Sequence, residues 1–176
     1  MLTDPELKAI FMACEELGQF GTIIQLCALL GLRRGEAFCM RPEFLNLSTR
    51  TLVLPAALVK NKKDHSMPFG ELSMHRLVKS PFSSQAWSNN IAKLREAVGF
   101  GDFCIHTLRH TYRSNMARIG AAPHIAERLV GHVSSRSQIE RIYDHFSYEP
   151  ECRAAQEKYE QFFVEKSLGN HAAATD

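Results

Sequence analysis

Apolar side chains recur every three or four residues over most of the chain, the spacing of helices that bury one face. The first such stretch follows Asp4-Pro5 and ends at Gly18, and it predicts an amphipathic helix capped by Asp4. Residues 21–31 are apolar nearly all round, so a helix buried in the core is expected there. The same spacing predicts further helices from Ser83 or Ser84 to Val98 and over 106–119, 123–131, 136–145 and 149–166.

The pattern changes between Asn46 and Phe69. Residues 46–55 predict a turn that leads into a strand, and a second strand is expected around residues 65–68. The segment 60–64 between them is rich in lysine and is expected at or near a loop. We therefore predict one domain over 1–176 that is mainly α with a small antiparallel β-sheet, an α+β fold.

Composition excludes several classes of protein. Hydrophobic residues make up 45% of the 176, which is enough for a proper core. No run of 18 apolar residues occurs, and the first thirty residues carry acids where a signal peptide has a basic start. A soluble, cytoplasmic protein with no membrane partner is therefore expected. The five cysteines form no CxxC pair, which argues against a disulfide framework or a zinc knuckle.

Charge is distributed unevenly, although the net charge is only +2. Residues 31–148 hold 17 basic and 9 acidic residues, whereas both ends of the chain are acidic. Such a concentration suits a polyanionic partner, because lysine and arginine that neutralise phosphates release condensed counterions. A basic face that is merely solvated would give the same count, so charge alone leaves both interpretations open.

Cationic and hydrogen-bonding groups concentrate on the predicted helix over 106–119. His106, Arg109, His110 and Arg113 stand at i, i+3, i+4 and i+7 and therefore share one face. Like charges on one face repel unless an anion lies across them, which makes a phosphate the natural ligand. A solvated basic face fits about equally well. Half of a zinc site fits less well, since no glutamate follows His106 as in HExxH and Arg109 would repel a cation.

Five short elements follow one another along the chain. They are GLRRGE over 31–36, Lys60 eight residues before Pro68, HTLRH over 106–110, LVGH over 129–132 and IYDH over 142–145. In this order they resemble the catalytic domain of the tyrosine recombinases, the phage integrase family. The resemblance implies a site-specific recombinase or integrase fold and activity. Such an enzyme cleaves and rejoins double-stranded DNA through a 3′-phosphotyrosyl intermediate, with no metal, ATP or other cofactor.

The resemblance also implies a nucleophile and its electrostatic partners. Tyr143 is the expected nucleophile. Arg33 and Arg109 are expected to stabilise the developing negative charge, because planar guanidinium groups match the geometry of phosphate oxygens. Glu36, three residues after Arg33, is expected to support it. The eleven residues from His132 to Tyr143 form a longer interval than many family members have, and Tyr148, five residues further on, is the competing nucleophile.

Proton transfer is assigned to the remaining motif residues. His106 and His132 would donate to phosphate oxygens, and one of them would accept the phenol proton. Lys60 would act as general acid to the leaving 5′ oxygen, although Lys62 and Lys63 lie close by. Further DNA contacts are expected from Arg34, Lys62, Lys63, His110 and Arg113.

Two rival activities stay open at this stage. A type IB topoisomerase-like enzyme would use the same covalent step but relax DNA without exchanging strands. A DNA-binding remnant would keep the basic groove without turnover.

The resemblance further implies an assembly. Family members usually carry an N-terminal helical DNA-binding domain, which residues 1–176 lack, so we expect a catalytic domain alone. The C-terminal helix and tail, 149–176, would either dock on their own core or be exchanged between protomers. We expect a monomer in isolation and, with the full-length protein, a homotetramer on DNA.

DNA binding by the isolated chain is predicted to be weak and strongly dependent on salt. With only half of the expected clamp around the duplex, affinity depends mainly on contacts between cationic side chains and phosphates. Fluorescence anisotropy with a labelled duplex between about 50 and about 200 mM salt measures the slope. A nanomolar dissociation constant that is insensitive to salt would contradict this expectation.

Overall fold

A computed structural model describes residues 1–79, 87–132 and 148–169. This part of the chain is mainly helical with a three-stranded antiparallel sheet, as the hydrophobic pattern predicts. The helices are α1 (Asp4–Ala13), α2 (Gly18–Leu30), α3 (Arg34–Phe38), α4 (Glu71–Lys79), α5 (Trp87–Val98), α6 (Ile105–Arg118), α7 (Pro123–Leu129) and α8 (Glu149–Phe163). The strands are β1 (Leu45–Asn46), β2 (Thr51–Leu54) and β3 (His65–Pro68). Of the described helices, none is long and apolar enough to cross a membrane.

Two sequence predictions fall outside the described residues. They are the helix over 136–145 and the cap at Ser83 or Ser84.

The predicted cap of α1, Asp4, is wrong by one residue. Thr3 is the cap: its hydroxyl accepts from the backbone of Glu6, and its own N–H donates to the Glu6 carboxylate at 2.7 Å. This reciprocal capping box uses two backbone donors, so Asp4 instead becomes the first helical residue.

Helix α2 is the central helix of the core. Every residue from Ile23 to Leu30 is buried, and α1, α4 and α6 pack around it. The helix ends at Gly31, whose φ of 62° lies in the left-handed region. A Cβ at this position would lie 2.5 Å from Cδ1 of Tyr112, so only glycine fits. The tight turn then places Arg33 at the start of α3.

The sheet runs in the order β1-β2-β3 with antiparallel neighbours. Leu54 of β2 pairs with His65 of β3, and Leu52 pairs with Met67. Residues 65 and 67 are buried whereas Ser66 is exposed, so β3 turns His65 toward the interior. The lysine-rich segment lies on the turn between β2 and β3, as expected.

Helix α4, which the hydrophobic pattern does not predict, is capped from a distant part of the chain. The Glu160 carboxylate on α8 is 5% exposed and accepts from the backbone N–H groups of Gly70 and Leu72, both at 2.9 Å. It also accepts from the Ser73 hydroxyl at 2.6 Å. The same carboxylate receives the Gln156 amide at 3.1 Å. Helix α8 therefore lies on the core of its own chain, and its exchange between protomers stays a prediction.

Replacing Glu160 with alanine is expected to destabilise the fold by about 3 kcal/mol, because several buried donors lose their acceptor together. Urea unfolding monitored by circular dichroism measures the loss. Glu157→Ala, an exposed position on the same helix, is the matched control and should change the unfolding free energy by less than about 0.5 kcal/mol. Equal stabilities for the two variants would contradict the capping role.

Candidate active site

Arg109 is the buried centre of the site. Leu108, Tyr112 and Met116 anchor α6 in the core, while Arg109 itself is only 4% exposed. Its Nη1 donates to the carbonyl of Gly31 at 2.6 Å, and its Nη2 donates to the carbonyl of Val130. The side chain therefore joins the end of α2 to the end of α7. Burial first, and then the nearby charge of Arg33, lower the pKa of Arg109 to about 10, which leaves it protonated at neutral pH.

Arg33 is held in place by Glu36. Its Nη1 donates to one carboxylate oxygen at 2.6 Å and its backbone N–H donates to the other at 2.8 Å. The Glu36 side chain is 2% exposed and that of Arg33 27% exposed, so the guanidinium reaches the surface from a buried counter-charge. Arg33 and Arg109 also lie close enough for their charges to repel, as the lowered pKa of Arg109 indicates.

His106 and His110 form a pair on the exposed face of α6. Their Nε2 atoms lie 2.9 Å apart, and the rings meet edge to face. Partial burial, then the charges of His110, Arg109 and Arg33, lower the pKa of His106. The charge of His132 acts in the same direction. His106 is therefore neutral at neutral pH and able to accept a proton.

His132 lies at the C-terminal end of α7, directly after Gly131. Its Nδ1 is 2.7 Å from Oε2 of Glu127, and the other oxygen of that carboxylate accepts from Nε of Arg113 at 2.7 Å. Burial would raise the pKa of Glu127, but the hydrogen bonds from Arg113 and His132 outweigh it and lower the pKa. Arg113, predicted as a DNA contact, thus has a partner within the protein.

His65 is a residue of the site that the sequence analysis does not single out. It is 7% exposed, and its Nε2 donates to the Arg128 carbonyl at 3.0 Å. Its ring packs on Gly131, where φ is 60° and a Cβ would lie 2.9 Å from the ring. A side chain at position 131 would displace either the ring or the turn that precedes His132. The alternation of side chains between the two faces of β3 is the signal that could have identified His65, because it places residues 65 and 67 on one buried face.

Not every predicted site residue contacts the described residues of the site. Lys60, Lys62 and Lys63 are exposed on the turn before β3, and Lys60 forms no hydrogen bond or ion pair with the described residues of the site. Arg34 is exposed on α3. Within the described ranges, no group of three or more histidine, cysteine or acidic side chains could hold a metal ion.

The described residues include one of the two candidate nucleophiles. Tyr143 lies outside the described residues. Tyr148 packs against α7, with its ring centroid 5.1 Å from that of His124 and 4.5 Å from the guanidinium carbon of Arg128. These contacts hold Tyr148 on the side of α7 that carries His124.

Comparison with known proteins gives two matches. The model of the phage integrase family matches residues 74–149. The chain is also 27% identical over 172 residues to prophage integrase IntZ of Escherichia coli (strain K12). That alignment covers 88% of this chain and 42% of the relative, so the chain spans less than half the length of the relative.

The free energy of unfolding is expected to fall at acid pH because of His65. Burial lowers the pKa of His65 below its usual 6.5, although the hydrogen bond to the Arg128 carbonyl and the charge of Glu36 oppose the change. The unfolded chain therefore binds more protons as the pH falls through about 6.5, and stability is lost below that pH. Urea unfolding at about pH 7.5 and about pH 5.5 measures the loss.

His65→Gln should flatten this pH dependence, because glutamine retains a donor but does not titrate. His75→Gln is the control, since His75 is exposed on α4. An unchanged pH dependence in His65→Gln would show that other groups cause the acid sensitivity.

Proposed function

We propose that this chain carries the catalytic centre of a site-specific DNA recombinase. Both matches support membership of the tyrosine recombinase (phage integrase) family. The observation that carries the proposal is the buried Arg109 guanidinium, which binds the Gly31 carbonyl two residues before Arg33. Arg109, Arg33 and His132 all lie within electrostatic reach of His106. Double-stranded DNA is the partner that the family implies.

A phosphodiester is the ligand that best relieves the repulsion between the two arginines. Each guanidinium presents several N–H donors in one plane, which matches a pair of phosphate oxygens. The carbonyls of Gly31 and Val130 take one donor from each Nη of Arg109, and each Nη carries a second. Because Arg109 is buried and fixed, it would stabilise negative charge without reorganising during the reaction.

The proposed reaction proceeds through a covalent protein–DNA intermediate. The phenol oxygen of Tyr143 attacks phosphorus, its proton passes to a histidine, and the bond to the 5′ oxygen breaks. Lys60, on the exposed turn before β3, would donate a proton to that leaving oxygen. His106 suits the role of proton acceptor, because its pKa is lowered and it is therefore neutral.

Rejoining is the reverse of the same step. The 3′-phosphotyrosyl bond keeps the energy of the phosphodiester, so attack by a 5′ hydroxyl restores DNA without ATP. Lys62, Lys63 and Arg34 would contact the backbone of the duplex from their exposed positions. A homotetramer formed by the full-length protein on DNA would supply the second strand for exchange.

Trapping the intermediate tests the proposal. The protein is incubated with a pool of nicked duplexes whose core sequence is randomised, and an adduct that survives denaturation is sought on a gel. Wild type and Tyr148→Phe should form the adduct, and Tyr143→Phe should not, because only Tyr143 supplies the nucleophilic oxygen.

Four outcomes would contradict the proposal or part of it. An undiminished adduct in Tyr143→Phe would remove that residue from the mechanism. Loss of the adduct in Tyr148→Phe alone would transfer the role to Tyr148. No adduct with the wild type would favour a DNA-binding protein without turnover. Adduct formation together with relaxation of supercoiled DNA, but without strand exchange, would favour the topoisomerase-like activity.

A further inference from the structure

The end of α7 brings the side chain of Glu127 next to His132 for a geometric reason. The backbone N–H of His132 donates to the Glu127 carbonyl at 2.9 Å, and that of Gly131 donates to the Arg128 carbonyl at 2.9 Å. This pair of bonds is the Schellman arrangement that closes a helix with a left-handed glycine. It folds position 132 back over position 127, so the two side chains meet although they are five residues apart.

Arg113 holds the Glu127 carboxylate from the other side. The Arg113–Glu127 pair joins α6 to α7, and both side chains are partly screened from solvent, with 27% and 29% exposure. One carboxylate oxygen binds Arg113 and the other remains for His132. The carboxylate is therefore fixed in orientation before it meets the imidazole.

A hydrogen bond to this carboxylate determines which nitrogen of His132 carries a proton. An ionised carboxylate only accepts hydrogen bonds, so Nδ1 of His132 must be the donor. Nε2 is then the nitrogen presented to the site, as a lone pair when the ring is neutral and as an N–H when it is protonated. In both states Nε2 points away from Glu127.

We propose that Glu127 is a positioning residue, which fixes the Nδ1–H tautomer of His132 and directs Nε2 toward the scissile phosphate. The side chain of His132 is 47% exposed, so without this bond its ring would sample other rotamers and tautomers. Carboxylates play this role for histidines in metal sites and in hydrolases. The catalytic part of the inference rests on the proposed function, whereas the tautomer is a property of the protein alone.

The tautomer is measured by nitrogen-15 NMR of the histidine side chains above neutral pH, without DNA. Wild type should show His132 protonated on Nδ1, and Glu127→Ala should shift it toward the Nε2–H form. Glu127→Gln is the intermediate variant, because its one amide oxygen can accept from Nδ1 of His132 or from Nε of Arg113 but does not replace both carboxylate oxygens. An Nε2–H tautomer in the wild type, or no change in Glu127→Ala, would overturn the proposal.

The rate of adduct formation tests the consequence for the reaction. Glu127→Ala should lower the single-turnover rate by about tenfold to a hundredfold, and Glu127→Gln should lower it less, because its amide oxygen can still accept from Nδ1. The double variant Glu127→Ala/His132→Ala should react no more slowly than His132→Ala, because Glu127 acts through His132. Additive losses would show that Glu127 merely joins α6 to α7.

The NMR experiment and the adduct experiment distinguish failure of the Glu127 inference from failure of the proposed function. Absence of an adduct in the wild type would count against the proposed recombinase, while the NMR experiment would still decide the role of Glu127. If Glu127→Ala does not fold, the wild-type tautomer and the Glu127→Gln variant decide it.

Discussion

The buried guanidinium of Arg109 is the interaction on which the rest of the site depends. It binds two carbonyls that α2 and α7 leave at their C-terminal ends, those of Gly31 and Val130. Both helices turn at a left-handed glycine, and each turn is followed at once by a residue of the candidate site, Arg33 or His132. Fold and site thus share one side chain, and its loss would leave two carbonyls without their donor as well as removing a positive charge from the proposed phosphate site.

Two carboxylates organise the positive charge in the same manner. Glu36 binds both the guanidinium and the backbone N–H of Arg33, while Glu127 binds Arg113 with one oxygen and His132 with the other. Each carboxylate offsets one arginine and orients one further group. The three arginines Arg33, Arg109 and Arg113 outnumber these two carboxylates, so the group keeps a net positive charge, and the described hydrogen-bond partners of Arg109 are carbonyl oxygens. Such a preorganised field stabilises an anion more strongly than flexible surface lysines would.

The sequence predicts what depends on local spacing and misses what depends on distant contacts. The buried α2 and the helix α6 follow from apolar periodicity and are confirmed by the structure. Helix α4 is not predicted, since its cap is Glu160, almost ninety residues away. His65 and Glu127 carry no motif, because their roles depend on which helix end they face. The site roles of the motif residues stay predictions.

Glu160 also sets a condition on any exchange of α8 between subunits. A helix that left its own core would expose the donors of Gly70, Leu72 and Ser73 while carrying their acceptor away. An incoming helix would satisfy them if it placed a carboxylate at the same position, because a slip of one residue would move that carboxylate off the helix end. Exchange of α8 would therefore succeed in one register alone, and Glu160 would fix that register.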